Sequence, residues 1–80
     1  MDDMKGKSVI VIFREEMHHD GIVVKSMAGV CGGMSSGFFA LNNISKATAA
    51  DGGDVTDKLG IRGKSTFFST RTVGFVLAGG

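Results

Sequence analysis

The sequence predicts a small α+β fold, with an N-terminal β-hairpin, one helix and a C-terminal β-rich segment in a single domain over residues 1–80. Three observations lead to this prediction. A turn-forming dipeptide separates two apolar runs, apolar residues recur at helical spacing in the middle of the chain, and β-branched and aromatic residues dominate the last third. Eighty residues supply one modest hydrophobic core.

The hairpin prediction depends on Asp20-Gly21, because this dipeptide readily adopts the positive φ angles of a two-residue turn. Continuing the register away from the turn places Phe13 opposite Ala28 on an apolar face and Glu16 opposite Lys25 on a charged face. A slip of one residue would turn the apolar side chains outward, so turn and alternation support the same register. The predicted strands run near Ser8–Met17 and Ile22–Val30.

Residues 9–13 are apolar at every position, which is typical of a strand covered on both faces. We therefore expect the first strand to be central in the sheet or to lie at a subunit interface, and not to form a free edge.

The middle of the chain predicts a helix from about Ser36 to Ala50. Ser36 is a suitable N-cap, and Gly52-Gly53 provides a stop. Beyond it, Asp54 is expected to cap a short turn that runs through Leu59 and ends at Gly60. The apolar side chains that define the predicted helical face are Phe38, Leu41, Ile44 and Ala47.

The charge of the chain is unevenly distributed. Residues 1–57 contain five basic and eight acidic residues, a formal charge of −3, whereas residues 58–80 contain four basic and no acidic residues, a charge of +4. Such asymmetry favours an anionic partner at one end of the molecule.

The basic C-terminal segment also contains aromatic residues. If it is one extended strand from Ile61 onward, Phe67 points to the core and Phe68 lies on the opposite, cationic face. Cations neutralise phosphates and a ring stacks on bases, which are the requirements for binding single-stranded nucleic acid. Arg71 interrupts the alternation, which predicts a bulge or turn near Thr70. The predicted contact residues are Arg62, Lys64, Phe68 and Arg71.

The sequence offers no set of residues that is expected to act together in catalysis or in metal binding. Cys31 is the only cysteine, and the hairpin register places it far from both histidines, so neither a disulfide nor an activated thiol is expected. Of the crowded side chains at 15–20, only Glu16 and His18 share a face of the hairpin, which is too few for a tight metal site. We expect no cofactor and no small-molecule substrate, and a protein that binds without catalysing.

Two further sequence patterns do not support the functions that they usually indicate. Gly63-Lys64-Ser65-Thr66 matches the end of a phosphate-binding P-loop, but that motif requires a glycine where the chain has Lys58. Residues 26–45 are uncharged, yet half of them are Gly, Ser or Asn, so we do not expect a membrane-spanning helix. The single cysteine and the charged N-terminal residues favour a cytoplasmic location.

The C-terminal Gly79-Gly80 resembles the terminal diglycine of ubiquitin-like sulfur carriers. In those proteins the terminal carboxylate is adenylated and then converted to a thiocarboxylate. The resemblance implies that Gly79 and Gly80 form a reactive tail, and the order of a hairpin followed by a helix is similar to that of the β-grasp fold.

A third alternative is a purely structural assembly subunit, in which glycines allow close packing; Gly29, Gly33 and Gly37 are spaced four apart. Because a chain of this size without disulfides gains stability by association, we expect a homo-oligomer. The preferred hypothesis from sequence is a self-associating protein that binds nucleic acid through its C-terminal strand face.

Overall fold

The computed structural model describes residues 2–79, in which five antiparallel strands form one sheet with the order β4-β3-β2-β1-β5. One short helix lies between β3 and β4, so the fold is richer in strand than the predicted α+β arrangement. Neither this helix nor the 3-10 turn at Asp2–Met4 is long and apolar enough to cross a membrane. The elements are β1 Ser8–His19, β2 Ile22–Ser35, β3 Phe38–Ala49, α1 Thr56–Leu59, β4 Thr66–Ser69 and β5 Val73–Ala78.

The predicted N-terminal hairpin is confirmed near its turn. Asp20 and Gly21 have φ angles of 51° and 79°, as a two-residue hairpin turn requires. His19 pairs with Ile22, and Met17 pairs with Val24. The first strand is also central, as expected, because β1 pairs with β2 on one side and with β5 on the other.

Further from the turn the predicted register is wrong. The pair after Met17 and Val24 is Ile12 with Ser26, so residues 13–16 of β1 lie opposite Lys25 alone. The predicted pairs of Phe13 with Ala28 and of Glu16 with Lys25 are therefore absent from the strand register. On the other side of β1, Phe13 pairs with Val73 of β5.

The predicted helix at Ser36–Ala50 is also wrong, because residues 38–49 form strand β3. Leu41 and Ile44 both point into the core, although a regular strand would place them on opposite faces. The reason is an irregularity in the register: pairing passes from Ala28↔Lys46 to Val30↔Asn42, so β3 contains two more residues than β2 over this interval. This irregularity produces the three-residue apolar spacing that sequence alone assigns to a helix.

The segment after β3 matches the prediction in part: the helical turn is present, but its N-cap is Val55 and not Asp54. Helix α1 ends at Gly60, and the Asp54 carboxylate accepts hydrogen bonds from the N–H and the hydroxyl of Thr56. These bonds hold the pKa of Asp54 below its ordinary value of 3.8. The fully buried Thr56 hydroxyl in turn accepts a hydrogen bond of 2.8 Å from the N–H of Ala47. Thr56 therefore links the helical turn to β3.

The sheet curls so that one face encloses the core. Although β4 and β5 lie at opposite ends of the strand order, only residues 70–72 connect them. The ring of Phe68 on β4 meets the ring of Phe13 on β1 edge to face, with centroids 4.9 Å apart. We call the concave, buried side the inner face and the opposite side the outer face. The most deeply buried side chains include Val9, Val11, Val24, Met27, Phe39, Leu41 and Ile44.

Close contact between β2 and β3 explains two of the glycines. A Cβ atom on Gly29 would lie 2.7 Å from the carbonyl oxygen of Asn42, and one on Gly32 would lie 2.8 Å from the Cβ of Ala40. These approaches are between strands of the same chain. Packing between subunits is therefore not needed to account for the small residues at these two positions.

Replacing Thr56 with valine tests the link between α1 and β3. The Ala47 N–H becomes a buried donor without an acceptor, so the free energy of unfolding should fall by about 1–3 kcal/mol in urea titrations. Thr56→Ser keeps the hydroxyl group, so its free energy of unfolding should fall by less than that of Thr56→Val. Equal losses in the two variants would contradict this role of the hydroxyl.

The same hydrogen bonds predict a pH dependence. Because the pKa of Asp54 is lower in the folded than in the unfolded chain, its contribution to stability is complete above the unfolded value of about 4 and is lost as pH falls through the folded value. Thr56→Val removes the main cause of the shift. Its stability should therefore fall less steeply than that of the wild type below pH 4, and parallel curves would contradict the assignment.

Candidate nucleic-acid interface

The C-terminal segment forms two short strands, β4 and β5, instead of one long strand, and the turn expected near Thr70 is present at residues 70–72. The predicted orientation of the adjacent side chains of Phe67 and Phe68 is wrong. Phe68 is only 7 % exposed and packs against Phe13 on the inner face, whereas Phe67 is 72 % exposed on the outer face. Phe68 is therefore not available in this structure to stack on a base.

The error has a specific cause. The prediction counted alternation continuously from Ile61, but residues 61–65 form a loop and strand geometry begins only at Thr66. Side-chain alternation applies within a strand and is lost through a loop. Pairing of Phe39 with Phe68 and of Ala40 with Phe67 then sets which ring points inward.

The exposed ring of Phe67 borders three neighbouring hollows. One, of about 390 Å³, is shallow and is lined by Ser35, Phe38 and Phe67. A second, of about 170 Å³, adds Lys5 and Met34 to the same two rings. Phe38 is 52 % exposed and Met34 is 42 % exposed. This end of the outer face is thus a largely apolar surface with two accessible phenyl rings.

The third hollow, of about 330 Å³, brings a second lysine to Phe67. It lies between the turn end of the β1–β2 hairpin and β4, and Lys64 lines it together with Phe67, Met17 and His19. Within residues 2–79 the Lys64 ammonium group forms no salt bridge. We call Lys5, Phe38, Lys64 and Phe67, with Met34, the aromatic surface.

Arg62 lies close to Lys64 in the chain but is held by intramolecular contacts. Its Nε donates to Asp57 at 3.0 Å, and one terminal nitrogen donates to the carbonyl oxygen of Ser45 at 3.0 Å. The hydrogen bond and the charge of Asp57 raise the pKa of Arg62 above its ordinary value. Arg62 therefore joins the loop to α1 and β3, with part of its charge already matched by a carboxylate.

Arg71 is exposed in the β4–β5 turn and is not placed beside the aromatic surface. It lines a separate hollow of about 470 Å³ that also contains Arg14, Glu15 and Glu16. The two carboxylates reduce the positive potential there. Of the four contact residues predicted from sequence, only Lys64 lies at the aromatic surface, while Arg62 and Arg71 line none of its three hollows and Phe68 lines one of them as a buried ring.

The proposed carrier tail lies partly outside the described residues, because these end at Gly79. Gly79 continues the sheet: its N–H donates to the carbonyl oxygen of Ser8 at 3.0 Å, and a Cβ at this position would lie 3.0 Å from a side-chain carbon of Ile10. The chain is therefore attached to β1 through Gly79. Gly80 is not described.

The remaining chemical groups are dispersed. Cys31 is buried in the core at 1 % exposure, and the His, Cys, Asp and Glu side chains of the described part of the chain form no group of three that could hold a metal ion. His19 Nδ1 lies 3.4 Å from the carboxylate of Asp20 and lacks a hydrogen bond with good geometry.

Comparison with protein-family models, with curated proteins and with solved structures found no match to this chain.

Four residues of the aromatic surface were not predicted from the sequence. Phe38 lies on a strand where the apolar spacing predicts a helix, and Phe67 is exposed where alternation from Ile61 predicts a core residue. Lys5 and Met34 lie outside the predicted binding segment. A usable signal was present in the adjacent pairs Phe38-Phe39 and Phe67-Phe68. Because neighbouring side chains of a strand point to opposite faces, each pair must expose one ring in a one-layer sheet.

Paired alanine substitutions test this assignment of faces. Phe68→Ala removes a core ring and its contact with Phe13, so the free energy of unfolding should fall by about 3–5 kcal/mol. Phe67→Ala should change it by about 0.5 kcal/mol or less, as is usual for exposed positions. Urea unfolding followed by circular dichroism measures both. A larger loss of stability for Phe67→Ala than for Phe68→Ala would show that Phe67, and not Phe68, points into the core.

Proposed function

We propose that this protein binds single-stranded nucleic acid through the aromatic surface, with Phe38 and Phe67 stacking on bases and Lys5 and Lys64 contacting phosphates. The observation that carries the proposal is the position of Phe67, whose exposed ring borders the hollows lined by Phe38, Lys5 and Lys64. A contiguous exposed apolar patch that is bordered by polar residues is typical of an interaction site.

The combination of groups favours nucleic acid over a purely apolar partner. Two ammonium groups border the surface on different sides of Phe67, while its lining contains no acidic side chain. Stacking on an aromatic ring is worth about 1–3 kcal/mol per base and accepts any base. Lysine contacts with phosphates add an electrostatic contribution that depends on salt.

Single strands suit this surface better than duplexes. A ring can stack only on a base whose face is free, and bases in a duplex already stack on their neighbours. The two hollows between Phe38 and Phe67 lie on the outer face, where an extended strand can cross β3 and β4. The hollow that Lys64 lines lies on the other side of Phe67 and reaches side chains of the core, among them Phe68. The proposed role is binding, and no residue is assigned a catalytic step.

A salt series tests the electrostatic part. With two phosphate contacts, the logarithm of the association constant for a labelled oligothymidylate should fall against the logarithm of salt concentration with a slope of about −1.4. Lys64→Gln should reduce the magnitude of that slope by about 0.7, measured by fluorescence anisotropy. Lys58→Gln makes the same charge change on α1, away from the hollows, and serves as the control.

Substitution of Phe67 tests stacking separately. Phe67→Ala should weaken binding by about 5- to 150-fold, the equivalent of about 1–3 kcal/mol, whereas Phe67→Tyr keeps the ring and should bind nearly as well as the wild type. Binding that is insensitive to salt, or equal affinity for Phe67→Ala and Phe67→Tyr, would overturn the proposal. Circular dichroism spectra confirm that each variant is folded.

A further inference from the structure

A second exposed apolar area lies on the outer face at the opposite end of the sheet. Phe75 is 68 % exposed and Leu77 is 49 % exposed, and they alternate along β5 with Val76, which is half-buried. Their partners on β1 are Ile12 and Ile10, so four large apolar side chains form one patch across the two strands. The nucleic-acid hypothesis does not use this area.

The strand that carries this patch is also an unprotected edge. Natural proteins protect edge strands with charged residues, prolines or bulges. Val73–Ala78 contains no charged residue and no proline. Gly74 is an extra residue between the pairs Ile12↔Phe75 and Phe13↔Val73, but beyond this bulge the pairing with β1 is regular from Phe75 to Ala78, so these four residues form the unprotected part of the edge. Within the described residues, β5 pairs with β1 alone.

The hydrogen-bonding groups available on this edge can be assigned. Residues of an antiparallel strand direct their N–H and C=O groups alternately to the two sides. Since Gly79 donates to Ser8, the backbone groups of Leu77 and Phe75 also face β1. Those of Val76 and Ala78 therefore face away from the sheet and are free to pair with another strand.

We propose that two copies of this chain dimerise through antiparallel pairing of their β5 strands about a two-fold axis at Val76. In this register Val76 lies opposite its own copy, and Phe75 of each chain lies opposite Leu77 of the other. Every directly opposed pair lies on the same face of the sheet, so both exposed side chains are covered in one step. The result is a continuous ten-stranded sheet.

A second copy fits this edge for two reasons. The patch is self-complementary, since it offers one aromatic and one aliphatic side chain two residues apart, and two-fold symmetry places each against the other kind. The other edge is less suited: β4 has only four residues, and the Ser69 carbonyl oxygen on it already accepts hydrogen bonds from the N–H and the hydroxyl of Thr72. The dimer therefore leaves the aromatic surface of each copy uncovered.

Analytical ultracentrifugation over a concentration series tests the association. The wild type should show a monomer–dimer equilibrium, and Phe75→Lys and Leu77→Lys should each raise the dimer dissociation constant at least tenfold, because they place charges against apolar partners. Phe67→Lys makes the same change on β4 and should leave the dimer intact. A monomeric wild type, or a dimer dissociated only by Phe67→Lys, would overturn the proposal.

Cysteine cross-linking tests the register. In a Cys31→Ser background, Val76→Cys places two cysteines opposite each other at a separation of about 5.5 Å between Cα atoms, which a disulfide accommodates. Mild oxidation should give a covalent dimer with Val76→Cys and little with Ala78→Cys, whose counterpart in the other chain is Gly74. Preferential cross-linking of Ala78→Cys would contradict this register. The nucleic-acid proposal is tested independently, because a monomeric variant keeps its aromatic surface.

Discussion

The curl of the sheet is the constraint on which the other features depend. The three-residue turn at residues 70–72 joins the two strands that end the sheet order, and the contact between Phe13 and Phe68 forms across the concave side. A flat sheet of five strands would leave both faces in water and bury little. Curling encloses one face as a core and leaves the other as a broad surface, so it determines which ring of each adjacent aromatic pair is buried.

This division into two faces also separates the possible functions. The inner face holds the apolar core and the buried cysteine Cys31. The outer face carries two apolar areas at opposite ends, one bordered by Lys5 and Lys64 and the other, on β5, without charge. Because the two areas differ in charge, we propose different partners for them: an anionic polymer for the first and a second copy of the chain for the second.

Local signals in the sequence predicted local structure well. Asp20-Gly21 predicted its turn and the first pairs of the hairpin, and Gly60 marked the end of a helical turn. These features depend on the conformational preferences of a few adjacent residues. The uninterrupted apolar run Val9–Phe13 likewise predicted a central strand, because a strand that is apolar at every position must be covered on both faces.

Features that depend on irregular pairing were not predictable in the same way. The extra residues of β1 at 13–16 and of β3 near Asn43 shift alternation partway along a strand, and the pattern that results in β3 has the spacing of a helix. The loop at residues 61–65 similarly interrupts the alternation of side chains, so the orientation of Phe67 and Phe68 cannot be counted from Ile61. Such positions are fixed by contacts between strands distant in the chain, which periodicity does not encode.

Photochemical cross-linking of the wild-type protein to a uniformly labelled single-stranded oligonucleotide, with mass-spectrometric mapping of the attached peptides, identifies the side chains that contact bases. We predict attachment at Phe67 and Phe38, the rings that are exposed beside Lys64 and Lys5. Attachment at Phe68, or only in the hollow that contains Arg71 and Glu15, would contradict it.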